Sequence, residues 1–230
     1  MWCATVYSVF WNISIVEPLG RHVIDGDRVK RAVLDRIVEQ RPRHLEAPVD
    51  RASYRRAMAA IDLGRFESAT DRADARLDEL MDLLDASTKE LLSASPAEPY
   101  FWFVRYWLLN VREGFSEKAA ASLAMSYRVG PYEGWISLAR NRFALAIFNQ
   151  LPEALQREVA AEFAGMVRSW MIGPAATNME TVGWSNRDAL IRQLDAVPIA
   201  QKTTLVTTLE RDGFMIKVPG VEEHDPRPWR

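Results

Sequence analysis

The spacing of hydrophobic residues predicts that the chain is helical along most of its length. After Asp27, a residue type that favours helix N-caps, apolar residues recur at spacings of three and four, and the pattern stops before Pro42. A second helix is predicted from about residue 50 to 63, ending at Gly64, and a third from about 67 to 92. This succession of amphipathic segments and short breaks predicts an all-α fold.

The second half of the chain continues the helical pattern. Helices are predicted over residues 134–148, 152–170, 185–194 and 198–211, with a loop over 173–183. In the first two of these helices the apolar spacing predicts a set of inward-pointing side chains, namely Trp135, Leu138, Leu145, Phe148, Leu155, Val159, Phe163, Val167 and Trp170.

One segment is apolar on every side. Residues 99–109 read PYFWFVRYWLL, and the apolar run is too short to span a bilayer and is interrupted by Arg105. A helix of this kind needs neighbours on more than one face. We therefore predict that it is a central, buried helix.

Residues 100–133 pair this helix with a second one and resemble a repeat of the tetratricopeptide (TPR) family, which is built as helix–turn–helix. The matching positions are Gly114 at the turn, Ala119 at the small crossing position, Leu123 and Ser126 on the packing face, and Pro131 at the close. Bulky Trp107 departs from the pattern, because the family often has glycine or alanine there. The resemblance implies stacked antiparallel helical hairpins, a TPR-like α-solenoid, and a groove that binds a protein partner.

Composition narrows the function classes. The chain has 230 residues with a formal net charge of −2, and it lacks the basic surplus that a general nucleic-acid binder needs. Its single cysteine, Cys3, excludes an intrachain disulfide and a cysteine-based zinc cluster.

Residues 1–16 contain no charged side chain, and three interpretations stay open. They are the end of a membrane anchor, an interfacial segment, or an apolar arm packed on the protein body. The organisation predicted is an apolar segment at 1–20, a helical repeat-like domain at 21–215 and a proline-rich tail at 216–230. The predicted location is the bacterial inner membrane, on an undetermined side, with a soluble cytoplasmic protein as the alternative.

The sequence offers no catalytic constellation. The three histidines, His22, His44 and His224, are far apart and lack a second metal ligand at helical spacing. The pair Asp25 and Asp27 resembles an Asp-x-Asp cation motif, but a turn followed by an N-cap explains it. No catalytic residue, metal or cofactor is predicted.

Aromatic and basic side chains are the candidates for binding. The predicted function is a non-enzymatic helical scaffold that binds a protein partner, in a bacterial envelope or polysaccharide-assembly system. The candidate partner-binding residues are Arg105, Arg112, Arg128, Tyr132, Trp135, Arg140 and Arg142, with the arginines expected to be exposed. The alternative is an α-helical enzyme or ligand-binding domain with a pocket near residues 102–142.

Overall fold

A computed structural model describes residues 15–39, 52–131 and 133–222. Within these ranges every regular element is a helix and no strand is present, which confirms the all-α prediction. Neighbouring helices pack as antiparallel pairs. The chain divides into two compact units, 1–119 and 120–230.

Unit 1 is built from helices packed around one apolar core. Its helical segments are α1 (15–24), α2 (Arg31–Glu39), α3 (Ala52–Thr70), α4 (Leu77–Ala94) and α5 (Pro99–Glu113). α3 packs along α4, and these two helices also contact α2 and α5 respectively. The core therefore lies along α3 and α4.

Two glycines of this unit, Gly20 and Gly64, do not break helices. Gly20 lies inside α1, where a Cβ would stand 2.5 Å from the Cα of Ala57. The prediction that a helix ends at Gly64 is wrong, because α3 continues to Thr70. A Cβ on Gly64 would stand 3.0 Å from Val23 Cγ1, so both glycines lie at close approaches between helices.

Helix α5 contains the aromatic segment. Its buried side chains include Phe101, Phe103, Tyr106 and Leu108, spread around the helix, as the sequence predicts for a central element. Trp107 is half-buried and meets the ring of Phe66 edge-on, with ring centroids 5.4 Å apart. α5 therefore joins the core of unit 1.

The turn and the helix end predicted within residues 100–133 agree with the structure. α5 stops at Gly114, whose φ of 74° favours glycine, and α6 spans Glu117–Val129 before Gly130 and Pro131. The small and packing positions of the predicted repeat, Ala119, Leu123 and Ser126, are fully buried. The division between the two units falls inside α6, after Ala119.

Unit 2 contains the remaining helices. They are α7 (Gly134–Ala146), α8 (Glu153–Arg168), α9 (Ile172–Asn178), α10 (Arg187–Arg192) and α11 (Ile199–Arg211). The predicted loop at 173–183 is wrong, because α9 continues into a π-helical turn over Met179–Gly183. α8 packs on α7 and α9, and α11 packs on α9.

α8 ends in a Schellman motif with an unusual residue. The N–H groups of Trp170 and Met171 donate to the carbonyls of Val167 and Met166, at 3.1 Å and 3.0 Å. Trp170 has a φ of 64°, the left-handed conformation that this position normally gives to glycine. A bulky, exposed tryptophan is therefore held in a conformation that costs it about 1 kcal/mol.

The predicted membrane segment lies mostly outside the described residues, as does the end of the predicted tail, 223–230. Among the helices that the structure describes, none combines the length and the apolar character needed to cross a bilayer.

Candidate functional site

Helix α7 carries the candidate site and has two very different faces. One face is buried and includes Ile136, Arg140, Asn141 and Leu145. The other face exposes Trp135, Leu138, Arg142 and Phe143, which recur at helical spacing; we call these four residues the α7 face. One side of α7 therefore packs inside the protein, and the other side is accessible to another molecule.

The buried side of α7 centres on an ion pair between Arg140 and Glu162 of α8. Arg140 Nη2 donates to Glu162 Oε1 at 2.5 Å, and Nε donates to the same oxygen at 3.1 Å. The exposed fractions of the two side chains are 0% and 2%. The pair is therefore buried away from bulk solvent, where its remaining polar atoms need hydrogen-bond partners.

Those partners are present. Arg140 Nη1 donates to Ser126 Oγ at 2.9 Å, and Nη2 donates to the Gly130 carbonyl at 3.1 Å. Ser137 Oγ donates to Glu162 Oε1 at 2.8 Å, while the guanidinium lies 3.9 Å from the centre of the Tyr127 ring.

Tyr127 also bonds Glu162, and two asparagines extend this buried polar network to α9. Tyr127 donates its phenol proton to Glu162 Oε2 at 2.6 Å, and Asn141 Nδ2 donates to the Val159 carbonyl at 3.0 Å. Asn178 Nδ2 donates to Asn141 Oδ1 at 3.1 Å. Burial, and then the charge of Glu162, raise the pKa of Tyr127 well above its usual range, so the phenol stays a donor.

This network holds α6, α7, α8 and α9 of unit 2 in register. Its groups are sealed from solvent and satisfied by one another, so it offers no accessible nucleophile or base. The expectation that Arg140 is an exposed binding residue is wrong, because Glu162 and the α6 end bind its guanidinium inside the protein.

The other predicted arginines fall into two groups. Arg105 is 3.9 Å from Asp85, and Arg112 forms an ion pair with Asp82, so both are engaged by α4. Arg128 and Arg142 are exposed and form neither an ion pair nor a hydrogen bond through their side chains with the rest of the described chain. Tyr132 lies outside the described residues.

The apolar residues predicted to point inward divide into buried and exposed ones. Leu145 and Phe148 are buried as predicted, but the inward orientation predicted for Trp135, Leu138 and Trp170 is wrong. These three side chains have exposed fractions of 46%, 46% and 58%, respectively. Trp135 Nε1 donates to Glu133 Oε2 at 3.0 Å, which orients the exposed indole.

Trp135 and Trp170, the exposed tryptophans among residues 120–131 and 133–222, belong to adjoining backbone segments. A Cβ on Gly134, the residue before Trp135, would stand 2.6 Å from the terminal methyl of Met171, the residue after Trp170. The start of α7 therefore meets the α8–α9 junction. The absence of a side chain at Gly134 permits this approach.

Ionisable groups in unit 1 form a second, structural cluster. Arg65 Nε donates to Asp35 Oδ1 at 2.8 Å, and Arg31 binds both Asp35 and Asp74. The Arg76 backbone N–H, followed by Arg31, lowers the pKa of Asp74 to about 2. These pairs tie α2 to α3 and to the α3–α4 turn.

The described residues contain no group of three or more histidine, cysteine, aspartate or glutamate side chains placed to hold a metal ion. His22 Nδ1 is 2.7 Å from Asp27 Oδ2, so Asp27 has a protein partner at the protein surface.

Sequence reasoning missed the buried polar network, although the chain carries a signal for it. Arg140 lies four residues after Ile136 and four before Ala144, and all three occupy one helical face. Glu162 likewise lies between the buried residues Ala160 and Phe163. Opposite charges on the apolar faces of neighbouring helices predict a buried pair.

Comparison of the chain with protein-family models, with curated proteins and with solved structures found no match.

Proposed function

We propose that this protein is a non-enzymatic helical scaffold that binds a partner protein through the α7 face. The carrying observation is that one helix buries a rigid polar network on one side and exposes Trp135, Leu138 and Phe143 on the other. Exposed large apolar side chains grouped on one helix face are typical of a protein-binding surface.

The chemistry of the α7 face indicates the partner. From Trp135 to Arg142 the residues span about 10 Å along the helix, which matches two turns of another helix. Arg142 adds a cation that no described side chain neutralises. The complementary partner is an amphipathic helix with an apolar stripe and a flanking acidic residue.

The conformation of Trp170 supports the same proposal. Glycine would relieve the left-handed strain at this position, yet the chain has an exposed tryptophan there. Tryptophan is the residue type most enriched among energetically dominant interface residues. Trp170 therefore extends the binding surface at the α8–α9 junction.

The finer architectural prediction, a TPR-like α-solenoid, belongs to this proposal as well. Its support is the succession of packed neighbours α3–α4 and α4–α5 in unit 1, and α7–α8 and α8–α9 in unit 2. Burial at Ala119, Leu123 and Ser126 agrees with the repeat resemblance. Association with a bacterial membrane through residues 1–16 remains a prediction from their uncharged composition.

Two substitutions separate binding from folding. Trp170→Gly removes the strained tryptophan and should leave the melting temperature equal or higher. Leu138→Ser removes an exposed apolar contact and should lower the melting temperature only slightly, because serine has a lower helix propensity than leucine. After the partner is identified by affinity capture with the full chain, each should weaken its Kd by about tenfold or more. Titration calorimetry against the purified partner measures this.

Met215→Ser provides the control, since Met215 is also exposed but lies beyond α11. Its Kd should equal that of the unsubstituted protein. Equal weakening by all three substitutions, or by none of them, would contradict the assignment of binding to the α7 face.

A further inference from the structure

Unit 1 contains a surface cleft that no part of the proposed scaffold function uses. It lies between the turn that follows α1, the beginning of α2, and the second half of α3, and its volume is about 550 Å³. Small-molecule sites have volumes of about 300–1,000 Å³. Its apolar lining comes from Val23, Val29, Leu34 and the side-chain-free Gly64.

Most of the basic side chains that line the cleft form no ion pair with a described residue. Arg28, Lys30 and Arg72 form no ion pair and no side-chain hydrogen bond with the part of the chain that the structure describes. Arg31 differs, because Asp35 and Asp74 already bind its guanidinium. Three positive groups therefore line one cleft without a direct ion pair to a described residue.

The acidic groups at the cleft do not cancel this charge. They are Asp27, Glu67 and Asp71, one fewer than the four basic side chains of the lining. Glu67 and Asp71 lie one helical turn apart, and burial, followed by the charge of Asp71, raises the pKa of Glu67. The positive end of the α2 dipole also lies at the cleft, because Arg31 begins that helix.

We propose that this cleft binds a small organic anion, with its carboxylate or phosphate group among Arg28, Lys30 and Arg72. The apolar part of the ligand contacts Val23, Val29 and Leu34. Four basic side chains line the cleft against three acidic ones, and the α2 N-terminus adds positive potential, so anions are favoured over cations.

Titration calorimetry of the full chain with phenyl phosphate, phenylacetate and benzylammonium tests this site. At least one anion should bind saturably, while benzylammonium should not, and the tighter anion distinguishes phosphate from carboxylate recognition. Arg28→Gln combined with Arg72→Gln should weaken the anion Kd by about tenfold, because two ion pairs are lost. Neither side chain forms an ion pair or hydrogen bond with a described residue, so the melting temperature should be unchanged.

Two further variants complete the test. Arg168→Gln combined with Arg192→Gln removes two exposed arginines of unit 2 and should leave the anion Kd unchanged. Glu67→Gln should strengthen anion binding, since it removes a like charge from the cleft. Failure of both anions to bind, equal binding of benzylammonium, or equal weakening by both arginine pairs would overturn the proposal.

Discussion

Arg140 is a guanidinium placed where water does not reach it, and its partners come from several parts of unit 2. Glu162 supplies the countercharge, while Ser126 and the Gly130 carbonyl accept from the remaining donor groups. Such a pair is not a large net source of stability, because desolvation of both charges offsets most of their attraction. Its larger effect is on uniqueness, since only one register of α7 against α8 satisfies every group.

Replacing one member of the Arg140–Glu162 pair should destabilise the protein much more than replacing both members with apolar residues, because it leaves the other charge buried and unpaired. Glu162→Leu or Arg140→Met alone leaves a buried, unpaired charge and should lower the free energy of unfolding by about 3–5 kcal/mol. The double variant should cost clearly less than the sum of the single variants. Urea unfolding followed by circular dichroism measures this cycle, and additive losses would contradict the coupled network.

For individual residues, the sequence shows the chemistry of each side chain but not which groups surround it in the fold. Arg142 is exposed, as the sequence predicts. Arg140 has the same side chain two residues earlier but is buried. The difference is set by Glu162, which is 22 positions away and becomes a neighbour only through folding. Whether a charged residue is exposed or buried can therefore be predicted correctly only when its partner in the fold is known.

Among the elements, glycines in unit 1 act as contact points between helices. Gly20 in α1 faces Ala57 of α3 so closely that a Cβ would meet backbone atoms at 2.5 Å. Gly165 in α8 provides a matched comparison, since a Cβ there would meet nothing within 4 Å.

Alanine at these two positions should have opposite effects. Gly20→Ala should destabilise unit 1 by about 1–3 kcal/mol, because overpacking outweighs the gain in helix propensity. Gly165→Ala should stabilise the protein by up to about 1 kcal/mol, since only the propensity gain remains. Thermal unfolding of both variants checks the pair; a stabilised Gly20→Ala variant would contradict the close α1–α3 crossing.

These glycines also show where element prediction from the sequence succeeds. Proline marks boundaries at Pro131 after α6 and Pro198 before α11, because it removes a backbone donor, although Pro18 lies inside α1. Glycine is ambiguous, since it ends α5 at Gly114 but continues α3 at Gly64. Only the tertiary neighbours Val23 and Leu34 distinguish the second case.

The whole molecule consists of two helical units. Most of the charged side chains discussed above either form ion pairs within their unit or are exposed to solvent. Unit 1 uses its ion pairs to tie α2 to α3, and unit 2 uses one buried pair to fix α7 against α8. The all-α class followed from hydrophobic spacing. The division within α6 did not, because the apolar pattern runs through that helix without a break.

The central claim is that the α7 face of the folded protein binds one partner protein. Site-specific photo-crosslinking in the source cells tests it most directly, with a benzophenone amino acid placed at Leu138 and, as the control, at Met215. The account predicts one discrete crosslinked protein from position 138 and none from 215. No crosslink at 138, or the same products from both positions, would contradict it.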